Sequence, residues 1–185
     1  MCEELYDYIS NEGQIMRKGS EYVFRKVLTI APRHKNHRDG IGAVIATYAL
    51  HINGIKIIAT YNGRYTSLQN IGLFILSLFQ ISWKLCADRE IEIIHIHGAS
   101  KGSFISKYVV FFIAKFLFRK KVIYNLHEGG YLFYEKVSAI IGYVIKYFVE
   151  SVGVIICFST RWQNYYLMSL TSIPLTLRRE EIGFI

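Results

Sequence analysis

Apolar residues in this 185-residue chain fall into short continuous runs separated by longer segments with helical periodicity. The runs show no polar-facing alternation, which is typical of strands covered on both faces, and they predict strands at 25–31, 55–62, 91–97, 121–127 and 153–159. The intervening and following segments predict helices at 41–53, 68–86, 103–118, 132–150 and 160–170. This alternation predicts an α/β fold, a Rossmann-like parallel sheet with helices on both faces.

The same pattern divides the chain into three parts. Residues 1–24 are polar and form an N-terminal extension, residues 25–175 form the Rossmann-like domain, and residues 176–185 form a tail. The longest uncharged stretch, 65–83, has the apolar centre IGLFILSLF, which is shorter than the roughly 20 residues of a spanning helix. We therefore expect a buried helix of a globular fold there.

Charge and cysteine content narrow the functional classes. The net charge is +8 with a pI near 9.4, so the surface attracts anions such as acidic lipids, phosphorylated metabolites or nucleic acid. A basic protein without a charged partner is the alternative. The three cysteines are scattered, which favours a reducing, cytoplasmic location over a disulfide framework or a zinc site. No signal-peptide pattern is present at the N-terminus.

Ligands of open α/β sheets bind outside the carboxyl ends of the strands. In the first loop of this kind, Gly40 and Gly42 open a helix, where backbone N–H groups and the helix dipole favour a phosphate. The spacing is neither Gly-x-Gly-x-x-Gly nor a Walker loop. A tight turn after a solvated basic loop, which includes Arg38, is the alternative interpretation.

Histidines mark the ends of the third and fourth strands. We expect His95 to be a hydrogen-bonded core histidine and His97 to lie at the rim, facing a ligand. His127, followed by Glu128 and two glycines, is placed to bind a sugar hydroxyl or a phosphate, or to move a proton. The alternative is a turn histidine packed on Tyr131. No carboxylate or cysteine accompanies His-x-His, so no metal site is expected.

A helical wheel of residues 103–119 places basic and aromatic residues on one side. The apolar residues opposite them are expected to face the core, and they are Val109, Ile113 and Leu117. The basic and aromatic side suits an anionic membrane surface or a second domain, and a helix buried on most sides is the alternative. The residues proposed for membrane contact are Lys107, Phe111, Lys115, Phe118 and Arg119.

Four stretches at the strand ends, KVLTIAPRHKNHRDGIGAVIATY, IIHIHGASKGSF, KVIYNLHEGGY and VIICFSTRWQ, together resemble the N-terminal domain of retaining glycosyltransferases of family 4. The resemblance covers residues 25–175 and implies a single half of a GT-B fold. In such enzymes this half mainly binds the acceptor, a separate domain or chain binds the nucleotide-diphosphate sugar, and no metal or other cofactor is needed. The implied function is the transfer of a sugar, such as a hexose, to an acceptor sugar or lipid-linked saccharide in cell-surface polysaccharide or glycolipid synthesis.

The resemblance also implies roles for individual residues. Gly40 and Gly42 would approach the donor diphosphate, and His127 would contact the transferred sugar at the reaction centre. His97 would line the cleft, and we expect acceptor contacts from His97, Lys101, Glu128 and Arg38. The sequence departs from the family pattern at Asp39, where a glycine is usual, and at Asn125-Leu126-His127-Glu128, where His-x-His-Gly is frequent.

The sequence leaves three alternative functions. The main alternative is a non-catalytic subunit of a split glycosyltransferase that binds the acceptor or a membrane, because the donor-binding Glu-x7-Glu pair is not found after the last strand. Under both the main function and this alternative, the chain alone is expected to be inactive without a donor-binding domain. A Rossmann-like enzyme using a dinucleotide is disfavoured by the missing glycine motif, and nucleic-acid binding rests on charge alone and is not expected. The predicted location is cytoplasmic, with peripheral contact to the inner face of the membrane.

Overall fold

The computed structural model describes residues 24–33, 40–98, 102–127, 139–157 and 183–184. They contain a six-stranded, all-parallel sheet in the order β2-β1-β3-β4-β5-β6. The strands are β1 (Val27–Pro32), β2 (Lys56–Tyr61), β3 (Ile93–Gly98), β4 (Lys121–Leu126), β5 (Val154–Cys157) and β6 (Gly183–Phe184). The predicted Rossmann-like α/β fold is confirmed, and β6, from the segment treated as a tail, adds a short edge strand.

Four α-helices of the described residues connect the first five strands. They are α1 (Gly40–His51), α2 (Ser67–Ala87), α3 (Gly102–Phe112), which continues into a π-helical segment (Ile113–Leu117), and α4 (Ala139–Ser151). The helix predicted at 160–170 lies outside the described residues. A capping box starts α2: the Thr66 hydroxyl accepts from the Gln69 N–H, and the Gln69 side chain accepts from the Thr66 N–H at 2.9 Å.

The connections place helices on both faces of the sheet. Tyr48 of α1 contacts the ring of His97, whereas α3 and α4 pack on Tyr124, which points to the opposite face. Ile81 of α2 belongs to the same core cluster as Tyr124. Right-handed crossovers produce this distribution, since only the β1–β2 connection runs toward the β2 edge of the sheet.

The orientation predicted for the third helix is wrong. Lys107 and Phe111, expected on an exposed basic and aromatic face, are 2% and 0% exposed, whereas Leu117, expected in the core, is 70% exposed. Phe111 packs edge-to-face on Phe148 of α4 at 4.8 Å between ring centroids. Burial of the large aromatic rings determines the inward face of α3, and Lys107 is buried with them.

This result removes Lys107 and Phe111 as surface contacts for a membrane. Phe118 is partly buried and packs on the core. Lys115 and Arg119 keep partial or full exposure. Arg119 has a φ of 53°, in the left-handed region that ends many helices, and the Lys120 N–H donates to the Ala114 carbonyl at 2.9 Å.

The helix expected to be buried between 65 and 83 is α2, and most of it is not buried. Its inner side, with Ser77, Ile81 and Leu85, packs on the sheet, but Phe79 and Trp83 on the outer side are 70% and 76% exposed. By length and composition α2 is long and apolar enough to cross a bilayer, as some core helices of soluble proteins also are. Only 17% of its most apolar 18-residue stretch is buried. The outer side of α2 is therefore an apolar surface without a covering element among the described residues.

Candidate functional site

The candidate site lies where the sheet order reverses, between β1 and β3. The α1 crossover leaves β1 toward the β2 edge, and the α3 crossover leaves β3 in the opposite direction. In doubly wound sheets, this switch point opens a crevice at the carboxyl ends of the strands. His97 and Gly98 end β3 at this crevice, and His127 directly follows β4.

A group of polar side chains covers the α1 face of the sheet near this crevice. Strand register pairs His95 with Thr29 and His97 with Asn125. Thr29, His97 and Asn125 are all buried, and His95 is half-buried. We call these residues, together with His127, the polar cluster. Burying so many polar groups in a sheet is unfavourable unless each finds a hydrogen-bond partner.

His97 and His127 form the closest contact in the polar cluster. His97 Nδ1 and His127 Nε2 are 2.6 Å apart, and the rings stack with centroids at 4.9 Å and planes at 29°. The tautomers decide which nitrogen donates. The His127 backbone N–H also donates to the Gly98 carbonyl at 3.0 Å, extending the β3–β4 ladder by one residue. The sheet itself therefore fixes the distance between these imidazoles.

Gly98 has a steric role beside this contact. A Cβ at this position would overlap the phenol ring of Tyr124, which is itself buried. Only glycine lets β3 and β4 approach each other with Tyr124 in place. The glycine is thus explained by packing and needs no ligand.

Burial keeps the imidazoles of His95 and His97 neutral. Desolvation, with a smaller effect of His127, lowers the pKa of His95 to about 4. Desolvation, followed by the neighbouring charges of His95, His127 and Lys107, lowers the pKa of His97 to about 2. At neutral pH these two side chains can accept or donate hydrogen bonds but carry no positive charge for a phosphate.

Three buried side-chain atoms of the polar cluster have no hydrogen-bond partner within the described part of the chain. They are His95 Nε2, His97 Nε2 and Asn125 Oδ1. Unsatisfied polar atoms cost about 1–3 kcal/mol each, and several of them at a sheet's switch point indicate a binding site. Among the described residues no group of three or more His, Cys, Asp or Glu side chains could hold a metal ion.

The predicted order of depth of the two β3 histidines is wrong. His97, expected at the rim, is 0% exposed, and His95, expected deeper, keeps partial exposure. His97 is enclosed because Tyr48 of α1 lies against its ring at 6.0 Å between centroids and His127 stacks on it. His95 contacts His97 at 4.2 Å between ring centroids.

The other predicted residues fall into two groups. Gly40 is the exposed first residue of α1, and a Cβ at this position would meet open space. Gly42, two residues further into the helix, is buried. Their proposed contact with a donor diphosphate stays a prediction. Arg38, Lys101 and Glu128 lie outside the described residues.

Sequence reasoning missed two members of the site. Thr29 and Asn125 interrupt strands that are otherwise apolar, and each is the register partner of a β3 histidine. In the sequence, Asn125 stands out only as a departure from a family pattern. A polar residue in a strand buried on both faces was the available signal.

A second buried polar contact lies on the other face of the sheet. The Lys107 ammonium group donates to the Thr60 hydroxyl of β2, and both residues are buried. Desolvation lowers the pKa of Lys107 to about 7. No carboxylate of the described residues pairs with it.

Searches of protein-family models, of curated proteins and of solved structures found no match to this chain. Fold and site geometry are therefore the observations on which a function can be argued.

Proposed function

We propose that this chain is the acceptor-binding, N-terminal-type half of a retaining glycosyltransferase that uses a nucleotide-diphosphate sugar. The observation that carries the proposal is the polar cluster: neutral, buried imidazoles and an amide with unsatisfied atoms at the switch point of the sheet. The motif resemblance described above supports the same function.

The chemistry of the polar cluster favours hydroxyl groups as its ligands. A sugar hydroxyl both donates and accepts, so it can satisfy a neutral imidazole nitrogen in either tautomer and the Asn125 oxygen. An anionic group gains little there, because burial keeps His95 and His97 uncharged. We assign His127, the most accessible of the paired imidazoles, to the transferred sugar, and His97 to holding the His127 ring in place.

The donor diphosphate is assigned to the start of α1. The open space at Gly40 would let a phosphate approach the first N–H groups of a 12-residue helix. In this arrangement α1 contributes to both parts of the site. Its first residues bind the diphosphate, and Tyr48, two turns further along, contacts His97 beside the sugar. Charge on the leaving diphosphate is then met by backbone dipoles.

Asn125→Leu separates a binding role from a structural one. Leucine has nearly the same size and removes an unsatisfied buried oxygen, so the free energy of unfolding should stay unchanged or rise by about 1 kcal/mol. Binding to glycans, measured on an array of bacterial and eukaryotic saccharides and then by calorimetry with each hit, should weaken about 3- to 10-fold. His51→Gln is the matched control, because His51 is an exposed histidine at the far end of α1.

A glycan whose affinity survives Asn125→Leu, or an array without any hit, contradicts the proposal. Adding UDP- and GDP-sugars together with a bound glycan then tests whether the chain transfers a sugar by itself. Binding without transfer is expected of this acceptor-binding half by itself, and transfer by the chain alone would contradict the need for a separate donor-binding domain or chain. Strong binding of nucleotides without any glycan would favour a different nucleotide-using enzyme.

A further inference from the structure

The outer side of α2 presents an apolar stripe to solvent. Six large apolar side chains are exposed along the helix: Leu68, Ile71, Ile75, Leu76, Phe79 and Trp83. At about 100° per residue they cover an arc of roughly 140° opposite the side that packs on the sheet. We call them the α2 outer face.

Soluble monomers rarely leave such a surface bare. Single exposed apolar residues are ordinary, but contiguous patches above a few hundred Å² mark contacts with proteins or membranes. α2 carries apolar residues both on its inner and on its outer side, so it packs on the sheet and still presents an apolar side to solvent. Further large apolar residues, including Phe112, Phe116 and Tyr147, are exposed on α3, the π-helical segment and α4, which lie on the same face of the sheet.

Charge indicates what covers this surface. Throughout α2, α3, the π-helical segment and α4 the only acidic residue is Glu150, which lies 3.8 Å from Lys146 in an ion pair. Cations lie near the apolar residues: Lys84, which is 43% exposed on its side chain and pairs with Asp88 at 3.5 Å, and Lys115 and Arg119 further across the layer. The chain as a whole carries +8. An acid-poor apolar surface bordered by cations complements an anionic bilayer.

A second copy of the chain fits less well. Antiparallel face-to-face pairing of α2 helices would bring Arg64, just before the helix, toward Lys84 of the other copy. The carboxylate that ends α2, Asp88, is already paired with Lys56 and Lys84. We propose that the α2 outer face lies in the headgroup region of an anionic membrane, with the helix parallel to the bilayer plane and the sheet above it. Trp83, near the end of the stripe, suits the membrane–water interface.

Vesicle binding tests the proposal. The full chain is mixed with vesicles of phosphatidylcholine alone or with 30% phosphatidylglycerol, and bound protein is separated by flotation. Wild-type protein should float with the anionic vesicles at least about fivefold better than with neutral ones. Ile75→Glu and Phe79→Glu should each reduce the anionic partition at least about tenfold. Leu50→Glu, an exposed apolar position on α1 at the opposite face of the sheet, should bind as wild type does.

Depth of insertion gives a second readout. The chain has two tryptophans, so Trp162→Phe leaves Trp83 as the reporter. Lipids brominated near the top of the acyl chain should quench its emission, whereas Phe79→Glu in the same background should abolish quenching. Circular dichroism of each variant verifies that the fold is retained, as expected for substitutions of the exposed side chains of Leu50, Ile75 and Phe79.

Three outcomes overturn the proposal. They are absence of binding to anionic vesicles, equal losses for Leu50→Glu and Phe79→Glu, and self-association that Phe79→Glu abolishes while vesicle binding is absent. None of these outcomes depends on glycan binding, so the proposed function and the membrane surface fail separately.

Discussion

Replacing Lys107 by methionine should stabilise the protein and remove part of its pH dependence. Lys107 lies on α3 with only 2% of its surface exposed, and its ammonium group donates to the Thr60 hydroxyl. A buried ammonium group loses most of its hydration, and one neutral acceptor compensates only in part. Methionine keeps an unbranched chain of similar length for packing and removes the charge.

The magnitude follows from linkage. Burial lowers the pKa of Lys107 from its usual 10.5 to about 7 in the folded state. Between pH 7 and pH 10.5 the unfolded chain therefore binds more protons at this group than the folded one, so stability rises with pH. From pH 7 to pH 9 the increase is about 2 kcal/mol, and below pH 7 the contribution is constant.

Equilibrium urea unfolding at pH 7, 8 and 9 measures the effect. Wild-type stability should rise by about 2 kcal/mol over this range relative to Lys107→Met, and the variant should be more stable at pH 7 by roughly 2–4 kcal/mol. Lys121→Met at the exposed start of β4 is the control and should follow the wild-type curve. Parallel curves for wild type and Lys107→Met would refute the reasoning, because they would mean that Lys107 remains charged and solvated.

Three further outcomes follow from the described geometry. The free energy of unfolding should fall by about 2 kcal/mol from pH 7.5 to pH 5.5, a value that allows for the partial exposure of His95. The reason is that burial lowers the pKa values of His95 and His97, so the unfolded chain binds more protons than the folded one below pH 6.5. In urea unfolding, the stability of His95→Leu should depend less on pH than that of the wild type. Gly98→Ala should cost about 1–3 kcal/mol by thermal unfolding, since its Cβ would overlap a buried phenol, whereas Gly72→Ala on solvent-facing α2 should stabilise by up to about 1 kcal/mol; equal effects would contradict the overlap. Arg119→Gly should stabilise by about 0.5–1 kcal/mol in the same assay, because its φ of 53° suits glycine, and a loss would mean that the arginine side chain makes a stabilising contact.

The fold was predictable because strands covered on both faces are apolar throughout. β3 and β4 begin and end within two residues of their predicted bounds, and α2 within one. Helix ends were less predictable. The segment predicted as one helix at 103–118 divides at Phe112 into α3 and a π-helical segment, and no local signal in this apolar sequence marks that change.

Which side of α3 faces the core could not be read from the sequence. Apolar residues occur on every side of the helix, so the sequence pattern alone does not select one inward side. Burial of Phe104 and Phe111 against Phe148 decides instead, and Lys107 is buried as a consequence. An aromatic ring buries enough area to outweigh the desolvation of one lysine.

The candidate site was predictable in location but not in internal arrangement. Histidines at the ends of two strands predict proximity once those strands are neighbours, and β3 and β4 are. The contact between His97 and His127 needs both the register and the extension of the ladder at Gly98. Enclosure of His97 depends on Tyr48, which lies 49 positions earlier on another element and has no pattern linking it to β3.

Each face of the sheet departs from the usual burial of apolar and exposure of polar groups, and the two faces do so differently. On the α1 face, polar atoms at His97 and Asn125 are buried without described partners, and on the other side Phe79 and Trp83 are left in solvent. Both features destabilise an isolated chain, and departures from consistent patterning are expected at functional sites. Because the sheet separates them, Asn125→Leu should leave vesicle binding unchanged, and Phe79→Glu should leave glycan binding unchanged. A loss of both activities in either variant would mean that α2 and the polar cluster belong to one site.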